Sequence, residues 1–192
     1  MVHLEADSLK GAWADVRRVA DALGAGKEGR SLVDGLRRRM RAAADCCRGR
    51  PRPRVVCIQW PDPWLAAGSW VPELIRMAGG EDAIGREGAA VELTADRLRG
   101  ASPQVLLFAV RGHSLEHTAR EAKRALRSAG AGLRSVPAVR TGRVMAFDGA
   151  RLFSRPGPLL ADTLEALVEA LHPEAQEYGH EGSSWVRIEL DR

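Results

Sequence analysis

Apolar side chains recur every three or four residues through the first quarter of the chain, which is the spacing of an amphipathic helix. The stripe predicts one helix over 8–23, with Ser8 as a candidate N-cap, and a second helix over 28–47. The proline-containing segment 49–53 interrupts the pattern after the second helix. We therefore expect 1–48 to form a helical segment that precedes the rest of the fold.

Short apolar runs rich in β-branched residues predict buried strands in the next part of the chain. These runs cover 54–60, 104–110 and 143–147. Helical patterns follow at about 70–78, 94–100, 115–128 and 157–171. Strands that alternate with helices indicate a mostly parallel sheet covered on both faces. We predict an α/β fold, a Rossmann-like three-layer lobe of about four strands over 49–173, and a polar C-terminal tail over 174–192.

The composition is typical of a globular domain and limits the partners to be considered. The chain has 192 residues, of which 45% are hydrophobic and 28% are charged, which suits one α/β domain. Its formal charge of +4 comes mainly from arginines interspersed with acids, and its basic runs at 37–41 and 48–54 lack interleaved aromatic residues. We interpret them as solvated surface and predict no nucleic-acid partner. No apolar run approaches the length of a membrane-spanning helix.

The sequence gives no case for catalysis, a metal site or a disulfide framework. The three cysteines, Cys46, Cys47 and Cys57, are odd in number, and their spacing matches no zinc site. No nucleophile lies in a recognisable catalytic motif. The N-terminal residues mix His, Glu and Asp with apolar side chains, so no signal peptide is recognisable. As written, the chain would stay in the compartment where it is made.

The segment after the first predicted strand is the densest in candidate binding residues. Five of the nine aromatic residues are tryptophans, and Trp60, Trp64 and Trp70 are crowded into this segment. Ligands of open α/β sheets bind beyond the carboxyl ends of the strands, so these tryptophans and Asp62 fall where a ligand is expected. The alternative is that one or two of the tryptophans fill the interface between a helix and the sheet.

Four motifs follow this strand pattern in a recognisable order. They are W-P-D-P-W-L-A-A-G-S-W-V-P-E-L-I-R-M-A-G-G-E-D from Trp60, S-P-Q-V at 102–105, V-P-A-V-R-T-G-R-V at 136–144 and F-S-R-P-G-P at 153–158. In this order they resemble the C-terminal lobe of class III periplasmic substrate-binding proteins of the cobalamin-binding type, over about 4–174. The opening helix resembles the helix that connects the two lobes in this family. The family's N-terminal lobe has no counterpart in the chain.

The resemblance implies a lobe that binds a cobalamin or a ferric siderophore for uptake by an ABC transporter, with no covalent cofactor and no catalytic residue. The implied ligand-binding residues are Trp60, Asp62, Trp64, Trp70, His113, Phe153 and Arg155. Glu73 is the implied docking residue for the transporter permease. The family is periplasmic or extracellular, whereas no export signal is recognisable here, so the compartment stays open.

Three of these residues have competing interpretations. His113 lies four residues before His117, but no third ligand has useful spacing, so we expect a cleft-lining side chain or an axial ligand to a corrinoid cobalt rather than a metal site made by the protein alone. Arg155 either contacts an anionic group of the ligand or hydrogen-bonds to carbonyls of its own loop. Glu73 either docks onto the permease or is an ordinary first-turn glutamate, favoured by the helix dipole.

A second hypothesis comes from a different functional class. The chain is then a truncated or split lobe that binds no ligand and pairs with another chain, either a separate N-terminal lobe or a second copy of itself in a homodimer. An exposed apolar face where the first lobe would lie is expected under both hypotheses, since such a face marks a partner surface or an open binding site.

Overall fold

The computed structural model describes residues 2–129 and 131–189, in which helices cover both faces of a seven-stranded sheet. The helices are α1 (Leu9–Ala22), α2 (Gly26–Asp45), α3 (Val71–Met77), α4 (Ala95–Ala101), α5 (Leu115–Ser128), α6 (Pro137–Arg140) and α7 (Leu160–Leu171). The strands are β1 (Arg54–Pro61), β2 (Trp64–Ala66), β3 (Glu81–Asp82), β4 (Val91–Glu92), β5 (Val105–Phe108), β6 (Val144–Phe147) and β7 (Trp185–Arg187). A 3₁₀ helix covers Ala131–Ser135 and a π-helical turn covers Gly149–Phe153.

The centre of the sheet is parallel, as the sequence predicts. β5 lies between β1 and β6, and the register pairs Ile58 with Phe108 and Phe108 with Ala146. β3 is parallel to β1, whereas β2, β4 and β7 run antiparallel to their neighbours. The α/β prediction is confirmed, and the sheet has more strands than the four expected. The additional strands are two or three residues long, too short for a hydrophobic run to reveal them.

Alternate residues of the central strands enter two separate hydrophobic cores. Val55 and Cys57 of β1 face the core formed with α1, α2, α3 and α7, whereas Val56 and Ile58 face the core formed with α4, α5 and α6. This alternation follows from the two-residue period of a strand, and its complete burial on both faces is typical of a sheet between two helical layers. The three-layer arrangement is therefore confirmed.

The N-terminal helical segment packs on the first of these cores. The Ser8 hydroxyl accepts a hydrogen bond from the Gly11 N–H at 3.2 Å, which caps α1 as predicted. α1 and α2 approach closely at Gly29, where an added Cβ would lie 2.3 Å from the Cβ of Ala20. α2 in turn packs against α7, so the two opening helices form part of one helical layer.

The segment predicted to be a polar tail is folded onto the sheet as far as it is described. β7 pairs antiparallel with β6, and the Trp185 ring is 2% exposed and stacks on Phe147 at 6.2 Å between ring centroids. The sequence pattern did not predict this strand, because it is only three residues long and follows a polar segment. The described part of 174–192 thus contributes an edge strand and a core aromatic residue.

Glu169 of α7 fixes this segment through a set of four hydrogen bonds. Its carboxylate accepts the backbone N–H groups of Tyr178 (2.7 Å), His180 (3.2 Å) and Glu181 (2.6 Å), and the Trp185 indole N–H (3.1 Å). Burial alone would raise the pKa of this carboxyl. The four hydrogen-bond donors lower the pKa by more than burial raises it, so the pKa lies below the ordinary value. The charged form of Glu169 is therefore the one that holds the segment.

The lowered pKa of Glu169 predicts a loss of stability in acid. Its contribution to the free energy of unfolding is complete above the ordinary carboxyl pKa of 4.5 and is lost as the pH falls through the lower, folded-state pKa. Urea unfolding over this range should show a steeper acid decline for the unmodified chain than for Glu169→Gln. An exposed matched control, Glu177→Gln, should retain the steep decline. Parallel declines in all three proteins would contradict the assignment.

None of the helices within 2–129 and 131–189 combines the length and the hydropathy that a membrane span requires.

Candidate ligand-binding edge

The carboxyl ends of the three central parallel strands meet at one edge of the sheet, which we call the carboxyl edge and define as 59–64, 109–114 and 148–155. The chains that leave β1 and β5 stay hydrogen-bonded there, because the N–H of Ala109 donates to the carbonyl of Ile58 at 2.9 Å and the N–H of Arg111 to that of Gln59 at 3.2 Å. Such an edge is where open α/β sheets bind ligands.

The loops after β5 and β6 are joined directly to each other. The Gly112 N–H donates to the Ser154 hydroxyl at 2.8 Å, and the Ala150 N–H donates to the His113 carbonyl at 2.9 Å. Gly149 permits this approach, since a Cβ at that position would lie 1.9 Å from the Val110 carbonyl oxygen. The two loops therefore form one fixed surface.

Trp60, near the end of β1, and Trp64, the first residue of β2, flank the turn that joins the two strands. Trp60 is 42% exposed, and its indole N–H donates to the carbonyl of Asp62 at 2.8 Å. Asp62 is itself exposed. Trp64 is half-buried and packs edge-on against Phe108, with 6.4 Å between the ring centroids. Trp60 is thus the tryptophan that offers an open aromatic face at this edge.

The structure corrects the prediction that Trp70 and Phe153 line the cleft. Trp70 is 3% exposed because it begins α3, whose inner face must cover the sheet. Phe153 is fully buried and contacts the Phe147 ring edge-on at 5.5 Å between centroids. Both rings belong to the core on the α7 side of the sheet. For Trp70, the alternative stated above, that a tryptophan fills the helix–sheet interface, is the one that the structure supports.

Two histidine rings lie side by side where β5 leads into α5. His113 is half-buried, His117 is exposed, and their ring centroids are 5.0 Å apart. Ser114 caps the helix by accepting the N–H of His117 at 3.4 Å, which places the second ring on the first turn. The buried Nδ1 of His113 has no hydrogen-bond partner among the described residues. The Nδ1 atom of His113 is thus buried without a partner among the described residues, and the His117 ring beside it is exposed.

Arginines add positive charge to the same loops. Arg155 is exposed, and within 2–129 and 131–189 its side chain makes no hydrogen bond to loop carbonyls. The interpretation in which Arg155 fixes its own loop therefore has no support among these residues. Arg111, also exposed, lies in the loop that follows β5 and was not among the predicted contact residues. Two glycines in the sequence, Gly112 and Gly149, could have indicated that the loops after β5 and β6 approach each other closely.

Glu73 lies away from the carboxyl edge. Its carboxylate accepts the N–H of Leu9 at 3.4 Å, and it lines a cavity of about 280 Å³ together with Lys10, Arg37 and Arg41. The residue is half-buried in the first turn of α3, as the helix-dipole interpretation requires. Its proposed role in docking stays a prediction.

A carboxylate–histidine cluster elsewhere resembles a metal site, but both of its carboxylates are already paired with an arginine. Asp162, Glu165 and His180 place their ligand atoms within 4.8 Å of one another. Arg39 from α2 pairs with both carboxylates, at 2.8 Å from Asp162. Its pKa is raised, chiefly by the hydrogen bond to Glu165. The cluster is therefore an ion-pair network that joins α2 to α7.

Comparison with protein families gives a match over most of the chain. A family model described as periplasmic binding protein matches residues 7–150. A search of curated protein sequences found no significant match.

Similar folds occur among solved structures. The periplasmic heme-binding protein BhuT in complex with two hemes is 27% identical, with a TM-score of 0.68 over 87% of this chain and 63% of that chain. A periplasmic heme-binding protein from Pseudomonas aeruginosa is 22% identical, with a TM-score of 0.78 over 97% and 67%. A protein of an ABC-type Fe3+-hydroxamate transport system from Saccharomonospora viridis DSM 43017 is 18% identical, with a TM-score of 0.68 over 88% and 57%. The chain thus spans less than two thirds of the length of BhuT.

Proposed function

Because the chain belongs to the periplasmic binding protein family, we propose that its carboxyl edge binds an iron-bearing organic ligand, with heme as the favoured ligand. Two of the similar proteins are named for heme binding and a third for an Fe3+-hydroxamate system, so a ferric siderophore is the second candidate. Cobalamin, expected from the sequence motifs, has no such support and becomes a comparison ligand.

The observation that carries the proposal is the combination of side chains on the fixed loops of this edge. Heme has a flat apolar ring, an iron atom and two carboxylates. Trp60 offers an open aromatic face to the ring, and His113, with the His117 ring beside it, offers an imidazole to the iron. Arg111 and Arg155 supply guanidinium groups for the carboxylates. Asp62 is also exposed on this edge, and its backbone carbonyl accepts the Trp60 indole N–H, which helps to hold the ring in place.

Heme titration of the purified chain tests this proposal. Saturable quenching of tryptophan fluorescence and a shift of the heme absorbance band are expected, and Trp60→Ala should weaken affinity by about tenfold or more. His113→Ala should change the absorbance spectrum of bound heme, while the exposed His3→Ala is the matched control and should leave it unchanged. Equal spectra for the two histidine variants would contradict the role of His113. Parallel titrations with a ferric hydroxamate and cyanocobalamin separate the ligand classes.

Partners follow from the family and not from the described residues. We propose that uptake also requires a second lobe, which closes over the carboxyl edge, and an ABC-transporter permease, for which Glu73 is the candidate contact. The rival function, an interaction lobe that binds no ligand, is favoured only by the exposure of Trp60 on an open edge. A homodimer that buries Trp60, with no saturable response to any of the three ligands, would support that rival.

A further inference from the structure

The opposite edge of the sheet carries a basic pocket that the proposed function does not use. We call it the amino-edge pocket. It is a cavity of about 320 Å³, and its charged and polar lining residues are Arg52, Gln104, Arg143, His172, Glu174 and Arg187. Pro51, Pro53, Leu171 and Pro173 supply apolar walls. This volume is at the lower end of the range for small-molecule sites.

The topology gathers these residues from distant parts of the sequence. Arg52, Gln104 and Arg143 each precede one of the parallel strands β1, β5 and β6, so they lie together at the amino ends. β7 runs antiparallel to β6, and its last residue, Arg187, pairs with Met145 near the start of β6. Arg143 and Arg187 therefore lie diagonally across neighbouring strands and on the same face of the sheet.

Two of the guanidinium groups are held by backbone carbonyls. Arg143 donates to the carbonyl of Leu171 at 2.9 Å, and Arg52 donates to that of Gly80 at 2.8 Å. Each guanidinium has five N–H donors, so these bonds fix the group and leave further donors for a ligand. Fixed guanidinium groups lose little conformational entropy when they bind an anion.

The positive charge in the pocket is not balanced by the described residues. Glu174 is the acid of the lining, and it pairs with a fourth arginine, Arg50, at 3.1 Å. No ion pair of Arg52, Arg143 or Arg187 occurs within 2–129 and 131–189. Burial lowers the pKa of Arg143, and the neighbouring charge of Arg187 lowers it further. The charge of Glu174 raises this pKa, but by less than the other two effects lower it, so Glu174 balances the Arg143 cation only in part.

We propose that the amino-edge pocket binds a phosphate group. Three guanidinium groups converge on the pocket, and its one carboxylate is already paired with Arg50, so the net positive charge suits a divalent oxyanion. The planar guanidinium of arginine donates two parallel hydrogen bonds to phosphate oxygens. The apolar walls leave room for a small organic group on the phosphate. The same chemistry is offered by free phosphate, by a phosphate monoester and by the headgroup of an anionic lipid.

The test measures binding of three probes to the full chain by its thermal unfolding, at ionic strength held constant with chloride. The probes are inorganic phosphate, glycerol 3-phosphate, and phosphatidylcholine vesicles with and without phosphatidic acid. A saturable rise in Tm is expected with at least one probe. Arg187→Gln and Arg52→Gln should each weaken that binding by about tenfold or more. Arg127→Gln, an exposed arginine on α5 with the same change of charge, is the control.

The outcomes separate the possible sources and decide the proposal. Binding of the soluble probes assigns the pocket to a free phosphate compound, and binding only of vesicles with phosphatidic acid assigns it to a lipid headgroup. The absence of a saturable response to all three probes would overturn the proposal. So would equal binding by Arg187→Gln, Arg52→Gln and Arg127→Gln, because it would show attraction to net charge alone. Heme titration of Arg187→Gln should remain unchanged, since the two edges lie at opposite ends of the strands.

Discussion

Replacement of Glu169 by alanine should lower the free energy of unfolding by about 3–5 kcal/mol. The substitution removes the acceptor of three backbone N–H groups and of the Trp185 indole N–H. The side chain is 5% exposed, so water cannot fully replace it without displacing the segment before β7. Burial of a donor without a partner costs about 1–3 kcal/mol for each group, and partial displacement limits the sum.

Urea unfolding followed by tryptophan fluorescence measures this effect. Exposed Glu177 lies in the same segment, and Glu177→Ala should change the free energy of unfolding by about 0.5 kcal/mol or less. Limited proteolysis should also cut Glu169→Ala between 174 and 184 faster than the unmodified chain. A loss below about 1 kcal/mol would show that the four hydrogen bonds do not anchor the C-terminal segment.

Gly149→Ala should destabilise the chain by about 3 kcal/mol and also damage the carboxyl edge. The new Cβ would lie 1.9 Å from the Val110 carbonyl oxygen and 2.6 Å from its carbon, and backbone atoms cannot yield as a flexible side chain does. The loops after β5 and β6 must therefore separate. That separation breaks the hydrogen bond from the Ala150 N–H to the His113 carbonyl and displaces the imidazole.

The control for this substitution is Gly157→Ala, because a Cβ at Gly157 meets no atom of the described residues within 4 Å. Thermal unfolding and heme titration of both variants give the comparison. Gly149→Ala should lose both stability and heme affinity, whereas Gly157→Ala should keep both. If Gly149→Ala is as stable as the control, the close approach of the two loops is not a requirement of the fold.

Long, strongly patterned elements were predictable from the sequence, and short ones were not. The bounds predicted for α5, 115–128, agree with the structure because its apolar stripe is continuous and Ser114 marks its start. β7 was not predicted because a strand of three residues carries too little pattern, and its place depends on Glu169 of a different element. A strand as short as β7 forms because it pairs with elements that are distant in the sequence.

The candidate site was predictable only in part for a similar reason. The strand order places Trp60 and His113 on one edge, as the position of each after a strand suggested. Burial of Trp70 and Phe153 depends on which face of α3 and of the turn at 149–153 meets the core, and aromatic character alone does not decide this. The arginines of the amino-edge pocket lie far apart in sequence, so only the topology brings them together.

Amide chemical-shift mapping with gallium protoporphyrin, a diamagnetic analogue of heme, tests the central claim most directly, because it locates the ligand on the chain. We expect saturable shifts of backbone amides that concentrate in 59–64, 109–114 and 148–155, with little change near Arg143 or Glu73. Shifts that concentrate elsewhere, or no saturable shifts up to about millimolar ligand, would contradict the assignment of the carboxyl edge as the binding site.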